Sequence, residues 1–328
     1  MRRPAAFPAL LDPSGELWYY YQLEMDIWDL EAHMERYCLI ANRTSGSGSA
    51  GAYIDRVREL LTARGADFEI RETQYPGHAT ELAKAAVDEG FDVIVSVGGD
   101  GTLRETAMSV IHTDKTLGIL PCGTGNDYVR PLNIPKDPET AVEILLSGKN
   151  KIVDAGEANG KIFFNVAGFG FDVDVLDYTE EFKPKCKNGE TAYRLGVLKA
   201  VFGLKLRKTK LTFPDGTMEK NVLLTAAGVG THFGGGMNVL PESDLSDGLL
   251  DVCVVHDVNR LTLLRVLPKF IKGKHLGLKY ITYRKASEVT IECDPVSRIQ
   301  LDGERMDGTP VTFRVLPGAI TVRIPQDL

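Results

Sequence analysis

Between Arg36 and Gly148, short apolar runs alternate with amphipathic stretches, and three of the apolar runs end in glycine-rich loops. This rhythm leaves few folds open, because βα repeats of such length bury their strands in a parallel sheet with helices on both faces. The periodicity predicts strands over Arg36–Ala41, Asp67–Glu72, Phe91–Val97 and Leu117–Leu120. It predicts helices over Ala50–Arg64, His78–Glu89, Leu103–His112 and Pro138–Ser147, the last closed by Gly148 as a C-cap.

Past Ile152 the pattern changes. Asn159-Gly160 joins two short runs as a type I′ hairpin would, and Pro214-Asp215-Gly216 joins another pair. Leu249–Val255, Val289–Cys293, Arg298–Leu301 and Val311–Val315 also read as strands, and only Thr191–Leu206 and Leu261–Ile271 read as helices. The expected fold class is α/β: an N-terminal doubly wound α/β domain over 34–152, rejoined by 319–328, plus a C-terminal, mostly antiparallel β-sandwich domain over 153–318. A chain of 328 residues suits two such units, since single cores rarely grow past ~250 residues. Residues 1–33 fit neither; they hold Pro4, Pro8, Pro13 and an aromatic run at Trp18–Tyr21, and Met34 stands directly before the first strand. They are expected to be an extension outside the core.

Charge and cysteine usage narrow the class further. The five cysteines are scattered and never spaced as CxxC, and the six histidines form no ligand spacing, which argues against a disulfide frame or a zinc knuckle. No apolar run approaches the ~18 residues that cross a bilayer, and the start of the chain does not read as a signal peptide, so a cytoplasmic location is expected. The net charge of -7 conceals two basic stretches. Lys183–Lys210 holds nine basic residues against Glu190 alone, and Arg260–Lys285 holds eight against none. Each would attract phosphates of a nucleotide, a nucleic acid or a membrane surface.

The three loops carry the chemistry, since strand ends of an open parallel sheet form its ligand crevice. The first, Asn42-Arg43-Thr44-Ser45-Gly46-Ser47-Gly48-Ser49-Ala50-Gly51, contains GxGxxG at 46–51. It suggests a dinucleotide fingerprint with Glu69 or Glu72 as ribose acid, but its first glycine comes several residues too late for the tight turn. In the second, Gly98-Gly99-Asp100-Gly101-Thr102, the glycines open the backbone to an anion, and Thr102 with Glu105 is expected to form a capping box. Asp100 would repel phosphate unless a divalent cation bridged them. The third, Pro121-Cys122-Gly123-Thr124-Gly125-Asn126-Asp127, repeats glycine, hydroxyl and acid.

GGDGT at 98–102 followed by GTGND at 123–127 resembles the diacylglycerol, sphingosine and ceramide kinase superfamily. Its bacterial diacylglycerol kinase branch is matched by Val166-Ala167-Gly168-Phe169-Gly170-Phe171-Asp172 and by Gly234-Gly235-Gly236-Met237 leading to Pro241. It is matched again by Asp244-Leu245-Ser246-Asp247-Gly248-Leu249-Leu250-Asp251-Val252 and Leu301-Asp302-Gly303-Glu304, so that the resemblance runs from about Arg36 to Pro325. Gly125, and Arg43 where the family often has proline, are small departures.

The resemblance implies a lipid kinase that moves the γ-phosphoryl group of ATP to a lipid hydroxyl, most simply diacylglycerol to phosphatidic acid, with Mg2+. The first domain would then bind nucleotide and the second the lipid, at the inner face of a membrane. No nucleic-acid partner is implied, and a homodimer is left open. Nucleotide contacts carry over to Asn42, Arg43, Thr44, Ser45, Gly46 and Thr73, to Gly98, Gly99, Asp100, Gly101, Thr102, Leu103, Arg104 and Glu105, and to Thr124, Asn126 and Asp127. Asp100, Asp127 and Asp154 resemble the acids of the catalytic magnesium network. Asp244, Asp247 and the Leu249 carbonyl resemble a second, structural metal site. Asp302 and Glu304 resemble the catalytic pair, with Glu304 as base. Three readings stand beside it: an NAD-kinase-like phosphotransferase, which explains GGDGT alone, a nicotinamide-dependent oxidoreductase built on GxGxxG, and a non-enzymatic nucleic-acid or membrane binder using the two basic stretches.

Overall fold

The computed structural model describes residues 34–186 and 189–328, so the expectation for 1–33 and the lysine at 187 lie outside the described residues. The fold is α/β, with an N-terminal α/β half and a C-terminal antiparallel sandwich. Strands β1 (Arg36–Ala41), β2 (Asp67–Glu72), β3 (Val93–Gly98) and β4 (Thr116–Pro121) pair in parallel in the order β4-β3-β1-β2. β3 and β4 are buried along their whole length, as their aliphatic composition requires. Helices α1 (Ala50–Ala63), α2 (His78–Asp88), α3 (Asp100–Val110) and α4 (Pro138–Ser147) cover the sheet. α4 begins where expected: Asp137 accepts from Thr140 N at 2.9 Å, and Pro138 takes the first turn. Because β1 leads to β2 on one side while β3 and β4 lie on the other, the topological switch falls between β1 and β3.

The second half runs β5 (Lys149–Ala158), β6 (Lys161–Phe163), β7 (Val166–Gly170), β8 (Arg207–Phe213), β9 (Gly216–Gly228), then the short pair β10 (His232–Phe233) and β11 (Met237–Asn238). It continues through β12 (Leu250–His256), β13 (Ile281–Ala286), β14 (Glu288–Asp294), β15 (Ile299–Leu301), β16 (Glu304–Met306) and β17 (Val311–Ile324). β17 outruns its expected end at Val315 and carries on past a bulge between Leu316 and Ile320. Pro317-Gly318 hides that continuation, since it looks like a turn; Gly318 takes φ +60° and the strand resumes. Its last residues, Thr321 and Val322, lie parallel to Thr116 and Leu117 of β4, while β5 accompanies β17 on its other side.

Three helices pack on the second half: α5 (Phe171–Phe182), α6 (Gly189–Phe202) and α7 (Arg260–Ile271). α5 was not expected. Its Val-Asp-Val-Leu-Asp run alternates like a strand, yet Gly170 turns the chain at φ +103°, where a side chain would collide with the Leu223 carbonyl. Asp172 and Asp174 then occupy the first helical turn, where acids suit the helix dipole. Phe171 and Val175 of α5 share a core with Val201 of α6, Leu263 and Phe270 of α7, and Leu223 and Cys253 beneath them.

Candidate active site

The three glycine loops meet at the carboxyl ends of β1, β3 and β4. Cys122 N and Gly123 N both donate to the Gly98 carbonyl, at 2.9 and 3.1 Å. This brings Gly99 and Gly123 backbone to backbone, so that a Cβ on Gly123 would collide with Gly99 Cα. Gly46, at φ +61°, lies against the Cys122 carbonyl with equally little room. Asn42 ties the first loop to the second: its Oδ1 accepts from Thr44 N and Thr44 Oγ1, and its Nδ2 donates to Thr102 Oγ1 at 3.3 Å. Ser45 N donates to the Asn42 carbonyl, and Thr73 N continues the β1 ladder by donating to Ala41 O.

Glu105 differs from expectation. α3 starts at Asp100 with no side-chain cap, and the Glu105 carboxylate accepts instead from Gly77 N at 3.0 Å and Ala79 N at 3.2 Å. It caps α2, whose entry through Gly77 at φ +89° brings its free amides against α3. Arg43 also departs: it donates to Glu72 and Asp55 at 2.7 and 3.0 Å and turns away from the crevice.

Asp100 and Asp127 converge. Asp127 N donates to Asp100 Oδ1 at 2.9 Å, and a Cβ on Gly125 would stand 2.8 Å from Asp100 Oδ2 and 3.8 Å from Asp127 Oδ2. Burial, then the charge of Asp127, pushes the Asp100 carboxyl above the ordinary carboxylate value, against the pull of the Asp127, Tyr128 and Asn126 amides. Asp127 Oδ2 also accepts from Gly235 N at 2.8 Å, which draws the glycine run after β10 to the same point. Asp127 Oδ1 also accepts from Arg130 Nε at 3.3 Å, and these two carboxylates are the residues that would hold a magnesium ion in this corner. No motif points to Lys136, yet its Nζ donates to the Gly123 and Thr124 carbonyls and holds the third loop closed. Asn126 at φ +48° completes that turn by donating to the Gly123 carbonyl.

The Gly99–Asp100–Gly101 turn separates two cavities. On one side lies an open polar groove of about 350 Å³ lined by Asn42, Thr44, Ser45, Thr73, Gly99, Gly101, Thr102 and Glu105, with Tyr75 and Pro76 at its edge. On the other lies a largely apolar cavity of about 220 Å³, bounded by Asp100, Leu103, Arg104, Gly125 and Asp127 at one end and running between β7, α5, α6 and α7. Asp100 faces the second cavity while its flanking glycines face the first.

Asp302 and Glu304 have unlike environments. Asp302, at φ +49°, is half-buried, and its carboxylate accepts from Phe164, Asn165 and Val166 N at 2.8, 2.9 and 3.2 Å. Burial nonetheless raises its pKa to about 6, against the amides of Phe164 and Asn165 and the Arg104 charge. It anchors the entry to β7 through these three amides, and it also lines the apolar cavity. Glu304 is exposed and accepts from Arg104 at 2.6 Å.

Asp154 stands apart from Asp100 and Asp127. Its oxygens accept from Gly248 N and Gly318 N, both at 2.8 Å, so it locks the Asp244–Leu249 loop to the bulge of β17. In that loop Asp244 Oδ1 accepts from Ser246 and Asp247 Oδ1 from Leu249 N. Asp247 Oδ2 takes the Lys285 ammonium at 2.7 Å, and Lys285 also meets Asp251 at 2.8 Å. Antiparallel pairing sets Lys285 opposite Asp251. The ammonium supplies the charge expected of a second metal, and the donor set as arranged does not fit one.

Residues 36–158 match the diacylglycerol kinase catalytic domain, and residues 165–324 match the YegS C-terminal NAD kinase beta sandwich-like domain. The chain is 30% identical over 297 residues to diacylglycerol kinase from Bacillus subtilis, covering 90% of this chain and 98% of that protein. It is 32% identical over 295 residues to diacylglycerol kinase from Mycobacterium tuberculosis, covering 88% and 94%. A crystal structure of a diacylglycerol kinase from Bacillus anthracis shares the fold, with a TM-score of 0.71 at 24% identity over 89% of this chain and 98% of that one. With both halves matched in order and the glycine loops meeting as the motifs require, the chain belongs to the diacylglycerol kinase family of ATP-dependent lipid kinases.

Proposed function

We propose that this protein phosphorylates diacylglycerol to phosphatidic acid, with ATP in the polar groove and the glyceride in the apolar cavity. The observation that carries the reading is the Gly99–Asp100–Gly101 turn, which presents amides to one cavity and a carboxylate to the other. Phosphoryl transfer asks for in-line positioning and charge neutralisation more than for covalent chemistry. The groove offers the Gly99–Thr102 backbone at the start of α3 to the phosphates. A magnesium ion held by Asp100 and Asp127 would neutralise the charge developing on the phosphates. The lipid hydroxyl attacks the γ-phosphorus, the bond to the β-bridging oxygen breaks, and the hydroxyl proton passes late to Glu304. Arg104 aims that carboxylate.

The acceptor would arrive from a membrane. Among the described residues no helix is long and apolar enough to cross one. Val197 of α6 and Leu267 of α7 line the cavity, while Leu198, Phe202, Leu261 and Leu264 of the same helices are exposed. Arg194, Lys199, Arg265 and Lys269 stand among them, the pattern of a surface that meets an anionic bilayer. Incubation with labelled ATP, magnesium and a panel of diacylglycerol, ceramide, sphingoid base and NAD tests the reading. Labelled phosphatidic acid is expected; label in NAD alone, or in no lipid, would overturn it.

A further inference from the structure

The apolar cavity is bounded by polar atoms that no group among the described residues satisfies. Both carboxylate oxygens of Asp172, Asn165 Oδ1, the Tyr128 hydroxyl and Arg104 Nε are buried and lack a hydrogen-bond partner among the described residues. All four residues line the cavity. Buried polar groups are nearly always paired, so a cluster of unpaired ones around one void points to a ligand that pairs them. Asp172 is the most demanding, being 5% exposed. Gly168 of β7 makes room for it, since a Cβ there would collide with Asp172 Oδ2. Gln300 stands beside it: its Nε2 donates to Val166 O at 3.5 Å, its Oε1 accepts from Gly303 N at 2.7 Å, and its amide pulls the Asp172 carboxyl part of the way back down. Burial pushes the Asp172 carboxyl up to about 7, so near neutral pH much of it carries a proton it can donate.

We propose that Asp172 reads the headgroup of the acceptor lipid, its carboxyl O–H donating to an ester carbonyl beside the hydroxyl that is phosphorylated, so that the site selects an acylglycerol. The assignment rests on the lipid-kinase reading above and gives it a specificity determinant. The unpaired groups favour it. Asp172 O–H, Tyr128 O–H and Arg104 Nε–H are donors that suit ester carbonyls, which only accept, while Asn165 Oδ1 is an acceptor that suits a glyceride hydroxyl. A lipid amine in the same place would bring a cation needing an ionised partner. Asp174, the neighbouring acid of α5, already holds Arg207 at 2.7 Å and is not available to it.

The experiment compares a diacylglycerol with the dialkylglycerol ether of equal chain length, which lacks both carbonyls, in mixed micelles with ATP. The wild-type protein is expected to prefer the ester in kcat/KM by roughly tenfold, the size of one buried hydrogen bond. Asp172→Leu should bring the ratio near one, chiefly by raising KM for the ester, while Asp172→Asn, which keeps a donor, should retain part of it. A merely structural role would lower both substrates together and leave the ratio alone. An unchanged ratio in Asp172→Leu overturns the assignment, and so, should the leucine variant not fold, does a wild-type ratio that stays constant as pH rises past about 7 and the Asp172 proton is lost. So does equal use of ester and ether by the wild type, or a preference for a sphingoid base. If no glyceride accepts phosphate while ATP still binds, the lipid-kinase reading itself has failed instead.

Discussion

The Arg104 guanidinium donates to the Glu304 carboxylate at 2.6 Å, joining the first turns of α3 to the β15–β16 hairpin across 200 positions of sequence. The contact ties the proposed base to Arg104, which lines the apolar cavity together with Asp100 and Asp127, and so links the two halves at that cavity. Replacing Glu304 with Gln keeps an oxygen for Arg104 and removes the proton acceptor. Turnover should fall by ~10²-fold or more, the usual share of a general base, with ATP affinity nearly unchanged. Turnover paired with nucleotide affinity for this one variant decides: normal turnover removes Glu304 from the role, and lost affinity makes it a scaffold.

Gly123→Ala tests the crossing of the second and third loops. The added methyl meets Gly99 Cα, which is backbone and cannot rotate away. Destabilisation of roughly 1–3 kcal/mol is expected, with a larger loss of ATP affinity than of lipid affinity, because the groove is built on Gly99. Denaturant melts and titration with a fluorescent ATP analogue would show both; a variant with wild-type ATP affinity would mean the loops move independently.

Stability should depend on pH through Asp172. Its folded value of about 7 lies above the ordinary 3.8, so the folded state holds a proton that the unfolded chain has released. The stabilisation is complete below about 4 and is lost as pH rises through about 7. Asp302, raised to about 6, adds a smaller loss of the same sign. Asp172→Asn cannot ionise, so its stability relative to wild type should improve between pH 5 and pH 8, on the order of a few kcal/mol. Parallel pH profiles of Tm for the two proteins would contradict the burial of an ionisable group there.

Vesicle binding should weaken with salt, since each basic residue near the surface contributes ~1 kcal/mol at most and is screened. Leu198→Glu and Phe202→Glu should weaken it further at fixed salt, by removing the exposed apolar face of α6 and adding like charge to an anionic bilayer. Sedimentation with phosphatidylglycerol-containing liposomes measures this. Binding indifferent to salt, to lipid charge and to both substitutions would place the membrane contact elsewhere.

Local chemistry determined much of this protein. The aliphatic runs at 93–98 and 116–121 dictate buried parallel strands, Asp137-Pro138 dictates a helix start, and glycine beside aspartate after two of the strands marks loops whose backbone an anion can approach. These follow from backbone and side-chain preferences acting over a few residues. What the residues do once brought together was decided by tertiary structure. The Glu105 side chain could have capped its own helix, but the packing of α2 on α3 offered it the amides of Gly77 and Ala79. The Asp247 carboxylate could have held a metal, but β13 set Lys285 against it. Asp172, read only as one letter of a motif, became a buried carboxyl because Gly168 on the adjacent strand leaves space for it. Hydrogen-bond partners and burial depend on which distant segments pack together, and no local window of sequence contains that information.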